Sequence, residues 1–266
     1  MADYLTRTLA RAFNQFLLLF GGVLLLAVLL CAVASQIRGA GESALGRNYY
    51  YLVAPGGVCH ETGHALGCLL TGTKIHHFSP FRPHGRELGS VTFYRKDGVW
   101  GHVSRFLIAS GPIWFGCLVI IILTKLFARR CGGLMPAADP SGDFMLSSRS
   151  YWCGTIKAAG GMLCNVFRVW HWKSSLDVLY LYLIFCIASE MGLSDVDLDG
   201  TWIGMICICV AFLVLNVIPA VGICMSKLAF RACRWIFPIH VTMMFVLVLD
   251  FVFVLLFVWP IRFFFR

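Results

Sequence analysis

The sequence predicts an all-α, polytopic membrane protein with about six transmembrane helices and a small β-hairpin after the second. Its 266 residues are 59% hydrophobic and only 13% charged, and the mean hydropathy is +0.80. Soluble domains are about half apolar and about a quarter charged. Apolar stretches long enough to cross a bilayer also recur along the whole chain. We therefore predict that residues 1–266 form a single membrane domain. The protein is expected to be an integral membrane protein that crosses the bilayer several times.

Six apolar windows define the predicted spans. They lie at roughly 13–35, 49–72, 103–127, 176–192, 201–222 and 236–259. The first is interpreted as a retained span, because it is longer than the apolar core of a signal peptide, which is about 7–15 residues. The third window contains Ser110-Gly111-Pro112. We interpret that tripeptide as a kink that permits close helix contact, or as backbone that shapes a substrate cleft.

Two long connections, 73–102 and 128–175, separate these spans. In the first, Ser90–Tyr94 alternates in the manner of a strand, which predicts a hairpin at the membrane surface. That strand either binds an unfolded substrate segment by edge pairing or is purely structural. The second connection contains a tryptophan-bearing stretch, 151–172, which we expect to lie at the membrane interface.

The net charge of +9 does not indicate a nucleic-acid partner. The basic residues are spread between apolar segments and form no dense patch, so they are typical of charges that flank membrane spans. The expected partners are membrane lipids and no nucleic acid. The charges do not decide the orientation of the chain in the membrane.

The most informative motif is His60-Glu-Thr-Gly-His64, an HExxH pattern inside the second window. Positions four apart share one face of a helix, so His60 and His64 can bind one Zn²⁺ ion. Glu61 beside them can act as the general base toward water activated by the metal. The alternative is a pair of hydrogen-bonded interior histidines, but ionisable clusters in a spanning segment are costly and usually functional. His76 and His77 are expected at the surface.

A catalytic zinc site requires a third protein ligand, and the acidic corner before the fifth window offers candidates. Asp195, Asp197 and Asp199 fall within Met191–Gly200. Asp197 also follows Ser194 by three residues, the spacing of a helix capping box. We leave Asp197 and Asp199 open as the ligand, with the cap as the competing role. Glu190 is a weaker metal candidate, expected as an interfacial acid.

The HETGH motif, a Gly-Pro in the next span and Leu198-Asp199-Gly200 before a later one together resemble the site-2 protease family of intramembrane zinc metallopeptidases. The resemblance implies that His60 and His64 are zinc ligands, that Glu61 is the general base, and that Asp199 is the third ligand. A poorly characterised branch, whose acid falls three residues before the glycine, would favour Asp197. Phe115 stands where the family's usual GPxxN motif has asparagine. Asn216 to Pro219 only partly matches the family's asparagine-proline stretch.

The resulting hypothesis is an intramembrane zinc metalloprotease that hydrolyses peptide bonds of a transmembrane protein substrate. Two alternatives stay open: a non-proteolytic, degenerate protein that binds zinc in the membrane, and a metal-ion transporter. An intact Glu61 argues against the first. Transporters usually distribute carboxylates and histidines over several spans, which argues against the second.

Overall fold

The computed structural model describes residues 2–82, 88–131, 149–169, 175–194, 197, 199 and 201–260. Within them the chain is mainly helical, with one two-stranded antiparallel sheet. The helices are α1 (Ala2–Phe16), α2 (Gly22–Leu45), α3 (Asn48–Leu52), α4 (Ala54–Leu70), α5 (Gly98–Ala109), α6 (Gly111–Cys131), α7 (Arg149–Val169), α8 (Ser175–Ser189), α9 (Thr201–Val217) and α10 (Pro219–Phe253). The strands are β1 (Ile75–Ser79) and β2 (Ser90–Phe93), and π-helical segments Leu17–Gly21 and Val254–Val258 join α1 to α2 and extend α10.

Three helical stretches of the described chain are long and apolar enough to cross a membrane: Tyr4–Leu45, Gly98–Phe127 and Trp235–Val258. Two shorter apolar helices, Ser175–Ser189 and Thr201–Val217, accompany them. These stretches give the chain the character of a helical membrane protein, as its composition predicts. The first has 42 residues, about 63 Å at 1.5 Å per residue, and so exceeds a hydrocarbon core of about 30 Å.

Prolines account for two departures from the predicted windows. The window at 49–72 is divided at Val53 into α3 and α4, because Pro55 lies in the first turn of α4 and favours a new helix start there. The window at 201–222 ends at Val217, because Ile218 is extended and Pro219 begins α10. A proline fits the first turn of a helix, where its missing N–H has no intrahelical partner.

The second long connection contains a helix, and its place relative to a membrane interface stays a prediction. Its stretch 149–169 forms the 21-residue helix α7, which packs against α10. Ala158, Ala159 and Met162 of α7 are buried in the main core. We predicted an interfacial segment from the tryptophans alone, and the small residues that let α7 approach the core gave no separate signal. Residues 132–148 and 170–174 of this connection lie outside the described residues.

The predicted hairpin is present and directly follows α4. Its strands pair antiparallel, with Ser79 opposite Ser90 and Phe78 opposite Val91. The end of α4 is closed by the Thr73 N–H, which donates to the Cys68 carbonyl at 2.7 Å. Residues 83–87, in the connection between the strands, lie outside the described residues. The hairpin packs against α4 through both strands.

The main hydrophobic core is built by α2, α4, α6, α7, α8 and α10. Its fully buried side chains include Leu30, Ile120, Met162, Ile184 and Phe245. Helix α4, which carries the HETGH motif, packs on α5, α6 and α8. The motif is therefore enclosed by helices on several sides.

Glycines set the distance between α4 and α6. A Cβ atom at Gly63 would lie 2.7 Å from the Pro112 Cα atom, and one at Gly111 would lie 2.3 Å from the Gly63 carbonyl oxygen. Any side chain at either position would therefore meet backbone, which cannot rotate away. This contact supports the interpretation of Gly111-Pro112 as a site of close helix approach. Helix α5 ends at Ala109, and Ser110 separates it from this site.

We expect Gly63→Ala to lower the stability of the protein by about 1–3 kcal/mol, the usual cost of overpacking. The measurement is the thermal unfolding midpoint of the purified protein in detergent micelles. Gly154→Ala is the matched control, because a Cβ atom at that helical glycine meets nothing within 4 Å. Alanine is the better helix former there by about 0.5–1 kcal/mol, so the control should unfold at the same temperature or higher. An unchanged midpoint for Gly63→Ala would contradict the close backbone contact.

Candidate metal centre

The two motif histidines lie one turn apart on α4 and point their rings toward the same place. Their Nε2 atoms are 3.1 Å apart, and the ring centroids are 4.8 Å apart. This is the arrangement that the spacing of His60 and His64 predicts for one face of a helix. Two ring nitrogens are therefore available to a single ion.

A carboxylate from the connection between α8 and α9 completes the cluster. Asp197 Oδ1 lies 3.0 Å from His64 Nε2, and Asp197 Oδ2 lies 3.5 Å from His60 Nε2. In this part of the structure, one ligand atom from each of the three residues falls within 4.8 Å of the others. The acidic corner thus meets the HETGH helix through Asp197.

Asp197 also forms the helix cap that the sequence offered as its competing role. The Ser194 N–H and hydroxyl donate to Asp197 Oδ2 at 2.8 and 2.7 Å. In return, the Asp197 N–H donates to Ser194 Oγ at 3.2 Å, the reciprocal pattern of a capping box. The cap and the contacts with the histidines therefore fall on one residue, and the bonds to Ser194 hold the carboxylate in front of His60 and His64.

Backbone carbonyls orient both rings. The Nδ1 atom of His60 lies 2.8 Å from the Glu190 carbonyl oxygen, and that of His64 lies 2.9 Å from the Ile108 carbonyl oxygen. A carbonyl can only accept, so each Nδ1 carries a hydrogen, and the Nε2 atom of each ring is the one left to hold a proton or a metal ion. This is the arrangement found around histidines that bind metals.

Three electron-rich groups consequently converge, and their convergence requires a cation. The two Nε2 lone pairs of His60 and His64 and the Asp197 carboxylate face one another within 3.0–3.5 Å. The cation is either a proton on an imidazole or a metal ion. Ligand atoms of tetrahedral zinc lie about 3.3 Å apart when each bond is about 2.0–2.1 Å. The three contacts fit that spacing, and the donor set of two imidazoles and a carboxylate suits zinc.

The electrostatics of the cluster favour an ionised carboxylate. Burial of Asp197 opposes its ionisation, but hydrogen bonds from His60 and His64, which require a proton on Nε2, outweigh the effect of burial. Together they lower the pKa of Asp197 well below its ordinary range. The carboxylate is therefore negatively charged and ready to face a cation.

The other acids of the corner occupy different places. Asp199 is exposed and lines the same cavity as the histidines, but it is not one of the three clustered groups. Asp195 lies outside the described residues, as do Leu198 and Gly200. His76 and His77, expected at the surface, are exposed on β1. The geometry thus distinguishes Asp197 from Asp199, which spacing alone did not.

The cluster borders a cavity of about 470 Å³. Glu61 lines it together with both histidines and Asp197. All four residues of β2 line it as well, so the hairpin forms one wall. Gly89 lies directly against Glu61, since a Cβ atom there would be 2.5 Å from Glu61 Cγ. The general-base candidate is therefore held between the metal cluster and the hairpin.

Glu190 supports the cluster without joining it. Its carboxylate accepts hydrogen bonds from Arg38 at 2.7 Å and from the Tyr49 hydroxyl at 3.2 Å. The side chain is 2% exposed, which corrects the expectation of an interfacial acid. Through its carbonyl, the same residue orients His60. The sequence indicated only that Glu190 is an acid near an apolar helix, because a backbone carbonyl contact has no sequence signal.

Asn216, which partly matched the family's asparagine motif, lies elsewhere. Its side-chain amide donates to Gln15 Oε1 at 2.7 Å and to the Phe212 carbonyl at 2.8 Å. Asn216 is not among the residues that line the cavity. Together with Gln15 it ties α1 to the junction of α9 and α10, a structural role.

Comparison of the chain with models of protein families, with curated proteins and with solved structures finds no match. The interpretation of the site therefore depends on its own geometry and on the resemblance of its motifs.

We expect the purified protein to bind one zinc ion per chain, and His60→Ala, His64→Ala and Asp197→Asn each to abolish stoichiometric binding. Asp199→Asn is the matched control and should retain the metal, because Asp199 is not part of the cluster. The measurement is metal content by mass spectrometry after dialysis against a weak chelator. Loss of zinc in Asp199→Asn with full retention in Asp197→Asn would contradict the ligand assignment.

Glu190→Gln should weaken zinc binding by about 10–100-fold, the usual effect of removing an outer partner of a metal-binding histidine. A glutamine carries an N–H₂ group that faces the hydrogen-bond donors of Arg38 and Tyr49, so the carbonyl that orients His60 should shift. Affinity is measured by competition with a fluorescent zinc chelator. Glu42→Gln is the control, since Glu42 accepts the Tyr50 hydroxyl at 2.7 Å but does not contact a ligand. Equal affinities in the two variants would exclude this positioning role.

Proposed function

We propose that the protein is an intramembrane zinc metallopeptidase of the site-2 protease type. The observation that carries this proposal is the convergence of the His60 and His64 Nε2 atoms with the Asp197 carboxylate beside a cavity that Glu61 also lines. A purely structural zinc site has no need of a carboxylic acid at the position of Glu61, beside the ligands. A hydrolytic site needs one, together with space for water and substrate.

The chemistry follows from these residues. Bound zinc would polarise the scissile carbonyl and lower the pKa of water from about 15.7 toward about 7. Glu61 would accept a proton from the attacking water as the new carbon–oxygen bond forms. As the carbon–nitrogen bond breaks, Glu61 would pass that proton to the leaving amine. Hydrolysis then balances: one water is consumed, and a carboxylate and an ammonium group result, since both protons of the water end on the leaving nitrogen.

The hairpin supports a peptide as substrate. In the two-stranded sheet of the described residues, β2 pairs with β1 along one edge and lines the cavity. An extended segment can add to such a strand through backbone hydrogen bonds, a common mode of peptide recognition. The peptide bonds of a helix are shielded by its own hydrogen bonds, so a transmembrane substrate would have to unwind locally before cleavage.

The membrane topology belongs to the same proposal. We propose a multi-pass protein in which the shorter apolar helices α8 and α9, together with α4, accompany the three long stretches to give about six spans. Helix α4 has 17 residues, about 25 Å at 1.5 Å per residue, slightly less than a hydrocarbon core of about 30 Å. Its enclosure by α5, α6 and α8 would keep His60, Glu61 and His64 away from lipid, as polar groups in membranes require.

The test is Glu61→Gln in purified, zinc-loaded protein. We expect zinc content to stay at one per chain and cleavage of a library of short quenched fluorescent peptides to fall by about 10²–10⁴-fold, the contribution of a general base. The wild-type protein and Glu42→Gln should cleave at equal rates. Wild-type protein that holds zinc but cleaves none of the peptides, nor any membrane-embedded reporter, would contradict peptidase activity. Net zinc movement into liposomes would instead support a transporter.

A further inference from the structure

Arg105 lies in the wall of the same cavity, on the helix that orients His64. Arg105, Ile108 and Ala109 all line the cavity. Residues three and four apart share one face of a helix, so α5 presents this face as a unit. The Ile108 carbonyl accepts from His64 Nδ1, which places Arg105 three residues, about 4.5 Å along the helix, from the residue that orients His64.

The anchor of the Arg105 side chain is well defined. Its Nη2 group donates to the ring nitrogen Nδ1 of His102 at 3.1 Å. Helix α9 packs tightly on this part of α5, since a Cβ atom at Gly204 would lie 2.2 Å from the His102 carbonyl oxygen. The backbone that carries Arg105 is therefore fixed against α9.

The guanidinium group nevertheless lacks an anionic partner within the described chain. The Arg105 Nε atom is buried and has no hydrogen-bond partner among the described residues. Arg105 also takes no part in the ion pairs found among those residues. Arg105 as a whole is partly exposed, but its Nε–H belongs to a permanently charged group, and a buried donor of that kind without an acceptor is costly. A ligand that brings acceptor oxygens into the cavity would remove this cost.

The two other arginines that line the cavity are in different situations. Arg38 already pairs with Glu190 at 2.7 Å. Arg95, which follows β2, is exposed to solvent. Arg105 therefore offers the cationic donor that is both inside the cavity and lacking a counter-anion in the described chain.

We propose that Arg105 binds an anionic oxygen of the substrate in this cavity. A guanidinium is the side chain best suited to a carboxylate or an oxyanion, because its planar donors match two acceptor oxygens. Two sources can supply that oxygen: the carbonyl of the scissile bond as charge develops on it during attack, or an acidic side chain of the substrate. The inference rests on the proposed peptidase function and adds a determinant of catalysis or specificity to it.

The experiment uses two phosphinic peptides, whose tetrahedral phosphorus mimics a carbonyl under attack. One carries only neutral side chains and the other carries an aspartyl side chain. Their affinities for the zinc-loaded wild type, Arg105→Gln and Arg105→Lys are measured by calorimetry in detergent micelles. Arg47→Gln is the matched charge control, because Arg47 is exposed between α2 and α3 and does not line the cavity.

We expect Arg105→Gln to weaken phosphinic peptide binding by about 10²-fold, in line with the loss of one oxyanion donor. Equal loss for both peptides assigns the oxygen to the scissile carbonyl. Loss confined to the aspartyl peptide assigns it to a substrate carboxylate. Arg105→Lys should bind with intermediate affinity because it keeps the charge without the planar fork. Zinc content should stay at one per chain in every variant, and Arg47→Gln should match the wild type.

Unchanged affinity of Arg105→Gln for both peptides would overturn the proposal, as would a wild-type protein that binds neither peptide. The same experiment separates this inference from the proposed function. A wild type that binds the phosphinic peptides through Arg105 but does not cleave the corresponding amides would contradict peptidase activity and leave the anion site standing. Cleavage by the wild type and by Arg105→Gln with equal kcat and KM would support peptidase activity and contradict the role of Arg105.

Discussion

Two backbone carbonyls, those of Glu190 and Ile108, determine what the HETGH helix can do. Each accepts from an imidazole Nδ1, at 2.8 Å for His60 and 2.9 Å for His64. Because a carbonyl cannot donate, each Nδ1 carries a hydrogen, and the two Nε2 atoms are the ring nitrogens that face each other and Asp197. With the rings turned the other way, the Nε2 atoms would bond to the backbone and the three groups would not converge.

That ring orientation depends on close helix packing. Gly63 meets the backbone of Gly111 and Pro112, which brings α6, and with it the end of α5 and the Ile108 carbonyl, against α4. Two turns nearer the start of α4, a Cβ atom at Gly56 would lie 1.8 Å from the Cys186 carbonyl oxygen, so α8 approaches equally closely. Small residues permit such backbone contacts in membrane helices. The close approach at these glycines therefore helps to bring the carbonyls of Glu190 and Ile108 to the two histidines.

The sequence predicted the part of the site that depends on local spacing. An i, i+4 pair on a helix must share a face, so His60 and His64 were predictable, and the hairpin followed from the alternation around Ser90. The choice between Asp197 and Asp199 was not predictable, since it depends on how the connection between α8 and α9 folds back onto α4. From the sequence, Glu190 could be recognised only as an acid near an apolar helix. In the structure its backbone carbonyl orients His60, and its carboxylate pairs with Arg38, which is distant in the sequence. Neither contact has a sequence signal. The packing of α7 on α10 was not predictable, since the tryptophans of this stretch indicate only an interfacial segment.

For the peptidase that we propose, the position of the hairpin would constrain how a substrate reaches the cluster. Helices α5, α6 and α8 pack on α4, and β2 forms another wall of the cavity beside Glu61. A strand offers its N–H and C=O groups to a partner only when that partner is extended. A helical substrate has already used those groups within itself, so it could pair with β2 only after unwinding. Binding to the strand would therefore supply hydrogen bonds in place of those that unwinding removes, and it would expose a peptide bond next to Glu61. In such an arrangement the same wall that binds the substrate selects the conformation in which it can be cleaved.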